Sequence, residues 1–162
     1  MPEFLIHDLQ QWHDIATVVL AGALGALIGL ERELAGKPAG FRTHALVAAG
    51  SALMVVLGAE LSHDIGSERL TQADPTRILQ AIVVGISFLG AGTIIRDRQQ
   101  QVEGLTTAAS IFVTAGVGIC VAVDRPWLAA EVVLFALCLL RLAGWIEYRL
   151  PRSKQDAASS DR

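Results

Sequence analysis

The sequence predicts an all-α, polytopic membrane protein with about five transmembrane helices, its N-terminus outside and its C-terminus in the cytoplasm. Three observations carry this. AVILMFWYC residues make up 52% of the 162 positions and charged residues only 18%, with a mean hydropathy of +0.48. The apolar residues gather in five stretches near 15–30, 44–61, 78–95, 105–123 and 128–146, each close to the ~20 residues that cross ~30 Å of hydrocarbon. Five soluble helices of this kind would leave too few polar faces to meet water.

Lys and Arg set the orientation. Residues 1–14 hold none, and placing them outside leaves nine cationic residues inside and three outside, with Arg141 within span five. The chain divides into a periplasmic N-terminal segment (1–14), a transmembrane domain (15–150) and a disordered cytoplasmic tail (151–162). No basic n-region precedes span one, so no cleaved signal peptide is expected. Phe4, Leu5, Leu9 and Trp12 suit a short helix lying on the outer interface. Thirteen Lys+Arg against sixteen Asp+Glu exclude a polyanion binder, so the expected partner is the lipid bilayer and not nucleic acid.

Helix boundaries follow from local chemistry. Asp74-Pro75 reads as an N-cap with Pro at the first helical position of span three, and Asp124-Arg125-Pro126-Trp127 as a tight turn into span five. Thr43, and Thr106 or Thr107, are candidate caps for spans two and four. Gly22, Gly25 and Gly29 put GxxxG on one face of span one; Gly85, Gly90 and Gly92 lie in span three, and Gly116 and Gly118 in span four. Close backbone approach at such residues drives helix association in lipid. The expected use is packing within the chain, with a homodimer face or a cavity-lining helix break as alternatives.

The unusual residues gather in the two cytoplasmic loops. Span one ends in Glu31-Arg32-Glu33 and its loop closes with Gly40-Phe41-Arg42-Thr43-His44. Span three ends in Arg96-Asp97-Arg98 and its loop closes with Gly104-Leu105-Thr106-Thr107. A shift of 64 positions superposes Arg32 on Arg96, Glu33 on Asp97, Gly40 on Gly104 and Thr43 on Thr107, the pattern of a parallel tandem repeat. These charges either pair with Arg32, Arg42 and Arg96 to anchor the loops, or make a cation or proton site from Glu31, Glu33 and Asp97, or form a docking surface. Carboxylates suit hard cations, but no regular ligand spacing is present and no metal site is expected.

Elsewhere in the membrane, Glu131 and Arg141 lie ten residues apart in span five, too far to pair along one helix, and are expected to snorkel in opposite directions. Hydroxyls at Thr106, Thr107, Ser110 and Thr114 are expected to bond the preceding turn, and Cys120 and Cys138 to pack as small residues. No P-loop, dinucleotide fingerprint or HExxH pair occurs, so neither an enzyme nor a cofactor is expected.

The strings GALIGLERE, AGFRTHALVAAGSAL, DPTRILQAIVVGISFLGAGTII and GLTTAASIFVTAGVG resemble the MgtC/SapB family of bacterial inner-membrane proteins from span one to span four. The resemblance implies the five-helix membrane domain without the soluble C-terminal domain of the virulence-type members. It also implies signature positions at Glu31, Arg32, Gly40, Arg42, Thr43, Asp74, Arg77, Gly90, Gly92, Gly104, Leu105, Thr107, Ala108 and Ala109. Two positions depart from the family pattern: Phe112 stands where Trp is usual, and Val113 where virulence-associated members carry Cys. The family link implies adaptation to low magnesium or acid stress through helix contacts on a membrane partner, with the F-type ATP synthase as the family-level suggestion. A magnesium or proton transporter using the cytoplasmic carboxylates is the alternative.

Overall fold

A computed structural model of the chain describes residues 3–64, 75–96 and 102–149. It contains α1 (Glu3–Leu34), α2 (Phe41–Asp64), α3 (Pro75–Thr93), β1 (Ile95–Arg96), β2 (Val102–Glu103), α4 (Leu105–Ala122) and α5 (Pro126–Arg149). All five helices are long and apolar enough to cross a membrane, in agreement with the all-α polytopic expectation. The α1–α2 and α3–α4 connections lie together at one end of the bundle, hereafter the loop end.

Local boundaries differ from the expectation in three places. Helix α1 runs without a break from Glu3, so Leu9 and Trp12 extend the first span and do not form a separate interfacial helix. It stops where Gly36 turns left-handed (φ 67) and the Lys37 N–H bonds back to the Arg32 carbonyl at 2.9 Å, a hydrogen-bonded glycine C-cap followed by Pro38. Thr43 does not cap α2, because that helix has already started at Phe41. Neither Thr106 nor Thr107 caps α4, whose N-cap is Gly104 at φ 90 with no side-chain bond. Pro75 and Pro126 do open α3 and α5, where the missing N–H costs nothing. Asp74, Asp97 and the 151–162 tail lie outside the described residues.

The α3–α4 connection contains a short antiparallel ladder, Ile95 opposite Glu103 and Arg96 opposite Val102. It delivers the chain to Gly104, where a side chain would meet the Thr93 carbonyl. In α1–α2 the corresponding approach is Gly29 against Gly40, where an added Cβ would sit 2.7 Å from the Gly40 carbonyl oxygen. Positions 29 and 93, like 40 and 104, are 64 apart, so the two hairpins close in the same way. The repeat ends there: Thr43 is exposed whereas Thr107 is 2% exposed.

Helix α4 is the hub, packing on α1, α2, α3 and α5, while α3 rests only on α2 and α4 among the substantial contacts. One apolar cluster joins Ile28, Val117 and Val133 of α1, α4 and α5, and a second joins Val47, Ile82 and Ile111 of α2, α3 and α4. Glycines permit this closeness. At Gly25 a Cβ would lie 2.6 Å from both the Ala48 side chain and the His44 carbonyl, and at Gly118 it would run into the Ala48 backbone. Gly90 makes ordinary contact with Ala108 at 3.5 Å, but Gly85 and Gly92 have nothing within 4 Å. Among the described residues, then, those two make no close helix contact, which leaves the alternatives of a homodimer face or a cavity lining for them. Exposed Trp12 and Trp127 mark one end of the bundle and Trp145 the loop end, with the Arg149 guanidinium 4.6 Å from the Trp145 ring centre, as aromatic anchors at two membrane interfaces.

Gly118→Ala, which puts a methyl into the Ala48 backbone, is expected to destabilise the bundle by about 1–3 kcal/mol in denaturant titration in micelles. Gly116→Ala, two positions away in open space, is expected to be neutral or stabilising through helix propensity.

Candidate functional site

A polar cluster occupies the loop end between α1, α2 and α4. Its first part is an ion pair between neighbours in sequence. Side chains at adjacent helical positions point about 100° apart, yet the Arg32 Nε donates to Glu31 Oε2 at 2.6 Å and the Arg32 Nη2 to Glu31 Oε1 at 3.0 Å. The two side chains are only 5% and 9% exposed. A bidentate guanidinium–carboxylate fork of this kind satisfies both charges where hydrocarbon would otherwise leave them costly.

The second part is a cap. Glu33 Oε2 accepts the Phe41 N–H at 2.9 Å, placing a carboxylate at the positive end of α2. To reach it the carboxylate passes over Gly40, where a Cβ would lie 2.7 Å from Oε2. Gly40 is therefore held bare by Glu33, while its carbonyl in turn keeps Gly29 of α1 bare.

The third part is His44, fully buried one turn further along α2. Its Nδ1 lies 3.0 Å from the Gly40 carbonyl, which can only accept, so Nδ1 carries the proton. Its Nε2 lies 3.1 Å from Ser110 Oγ on α4. The single Ser110 hydroxyl hydrogen is within reach of both that nitrogen and the Thr107 carbonyl at 2.8 Å. Thr114 donates to the Ser110 carbonyl at 2.8 Å. Every fully enclosed side-chain nitrogen and oxygen among the described residues has a partner.

The structure thus brings together Glu31, Arg32, Glu33, Gly40 and Thr107 of the sequence candidates. Arg42 and Thr43 are exposed outside the cluster. Arg77 is exposed near the start of α3, at the far end of the bundle, and Arg96 contributes to β1. Gly25 and Gly29 supply the close approach that seats His44. Sequence reasoning placed His44 only at a helix end and missed its role as the link between α2 and α4. The signal was present: Thr107, Ser110 and Thr114 recur at spacings of three and four on one face of an otherwise apolar helix. Among the described residues no three His, Cys, Asp or Glu side chains converge as metal ligands. The two described carboxylates of the cation-site alternative, Glu31 and Glu33, are already engaged.

Glu31→Ala, leaving Arg32 buried without its counter-charge, is expected to cost about 3–5 kcal/mol of bundle stability. Glu33→Ala, removing an exposed cap, is expected to cost about 0.5–1 kcal/mol. Denaturant titration of the purified protein checks both.

Residues 18–149 match the model of the MgtC family. YhiD of Escherichia coli strain K12, named as a candidate magnesium transporter, is 37% identical over 136 residues, 84% of this chain and 63% of that protein. Protein MgtC of Salmonella typhimurium strain LT2 is 38% identical over 144 residues, 87% of this chain and 58% of its own. Protein SapB of Bacillus subtilis strain 168 is 32% identical over 127 residues, 78% and 55% respectively. The chain spans about 55–63% of the length of these relatives, and no solved structure matches it. Matched along nearly all of its membrane-spanning part, the chain belongs to the MgtC family.

Proposed function

We propose that the protein is a regulatory or accessory membrane protein, linked to adaptation to low magnesium or acid stress, that acts through helix contacts on a membrane partner. The observation that supports this reading is the saturation of the loop-end cluster. Glu31 is taken by Arg32, Glu33 by the α2 N-terminus, and His44 by Gly40 and Ser110. A transport site exchanges ligands with a passing ion, and groups locked into helix capping and helix–helix bonding are poorly placed for that. The cluster instead holds α1, α2 and α4 as a fixed unit whose outer helix faces are free to meet another protein. Family resemblance suggests the F-type ATP synthase as that partner, and the inner membrane as its location. The name of YhiD favours the second reading, a magnesium or proton path through the carboxylates, in which Asp97 is the remaining ligand.

Flux in proteoliposomes separates the two. Vesicles holding the purified protein are expected to take up Mg²⁺ and protons no faster than empty ones, under ion gradients and under an imposed potential. A saturable flux abolished by Asp97→Asn would establish the transport reading instead. Mild crosslinking in native membranes is expected to recover one reproducible membrane-protein partner.

A further inference from the structure

Helices α2 and α3 touch where Gly58 receives the Ile78 side chain, and between them lies a groove of about 990 Å³ opening on the outside of the bundle. Its lining includes Gly50, Ser51 and Gly85. A Cβ added at Gly50 or Gly85 would meet nothing within 4 Å, unlike one at Gly25, Gly29 or Gly118. They are glycines in a helix-packing context that none of the described helices uses. Ser51 is 4% exposed and lines the groove. Arg77 stands at one end of the groove, exposed and with no ion-pair partner among the described residues.

The complementary surface is on the same chain. Helix α5 buries Ala129, Val133, Ala136 and Leu140 and turns the opposite ridge outward: Glu131, Leu134, Cys138 and Leu142, at spacings of three, four and four. Glu131 is an exposed carboxylate inside an apolar span, also without an ion-pair partner among the described residues, and such a group is costly against lipid. Helices α3 and α5 run in the same direction through the bundle. Counting 1.5 Å per residue from the ends of their spans, Arg77 lies about 2 Å and Glu131 about 8 Å deep, a difference an arginine stem covers. By the same count Ser51 lies about 15 Å and Cys138 about 18 Å deep.

We infer that the α2–α3 groove receives the outward ridge of α5 from a second copy of this chain, with Glu131 meeting Arg77 at one end and Cys138 lying beside Ser51 midway. The contact is heterologous, one copy giving the ridge and the other the groove, and copies related by rotation about the membrane normal form a ring where that rotation closes. It does not involve the side chains of the loop-end cluster, although the groove uses an outer face of α2.

Disulfide trapping in native membranes tests it, using Ser51→Cys with the natural Cys138 and with Cys120→Ala. Oxidation is expected to yield covalent dimers and higher oligomers, because each copy offers both a groove and a ridge, whereas Phe88→Cys on the same background, on exposed α3 surface outside the groove, is expected to yield none. Arg77→Glu is expected to reduce the trapped fraction about fivefold, and adding Glu131→Arg to restore it. Rescue by the charge swap ties the loss to the charge pairing and shows that Arg77→Glu is compatible with a folded chain. Equal trapping from Ser51→Cys and Phe88→Cys would overturn the inference, as would a monomer retaining a phospholipid by native mass spectrometry that Gly85→Leu releases.

Discussion

Helices in hydrocarbon gain nothing from hiding apolar side chains from one another, because lipid tails are as apolar as leucine. What holds this bundle is the approach of bare backbone to backbone at Gly25, Gly29 and Gly118 around Ala48 and His44. That contact brings α1, α2 and α4 close enough for van der Waals attraction to accumulate and for His44 to reach Ser110. The rest depends on it. Without the approach at Gly29, Gly40 would not be in place for the Glu33 carboxylate to cross it, and α2 would lose its cap.

The polar cluster is consistent with this frame. A buried ion pair is weak evidence for stability on its own, and the Glu31–Arg32 fork bridges adjacent residues of one helix, so it does not join helices. Its effect is to make α1 tolerable at that depth. The joining is done by His44, whose two ring nitrogens serve different helices, and by the glycines. Charge neutralisation and helix association are thus handled by different residues within one turn of each other.

The five spans, their order and the family were legible in the sequence because apolar length and ordered motifs are local properties. The use of Gly25 and Gly29 was legible too, as GxxxG has one dominant purpose in a membrane helix. The cap readings at Thr43 and Thr107 failed because the helix starts fall elsewhere, at Phe41 and after Gly104, and which way each residue faces is fixed only once helices have chosen neighbours. Thr43 and Thr107 occupy matching repeat positions, yet one faces outward and the other the hub, because α4 is surrounded on more sides than α2. His44 was missed for the same reason, since its partner is 66 positions away.

The hub position of α4 has a consequence for biogenesis. During synthesis α1 and α2 can pair as soon as both have left the ribosome, since their interface is mutual. Helix α3 is the least apolar of the five spans and rests mainly on a helix that has not yet been made. It must enter the bilayer and wait beside the translocon with most of its surface unpartnered. The interval between insertion of α3 and arrival of α4 is therefore when the nascent chain is most open to insertase assistance and to quality-control proteolysis. A slower ribosome over codons 97–122 would lengthen that exposure.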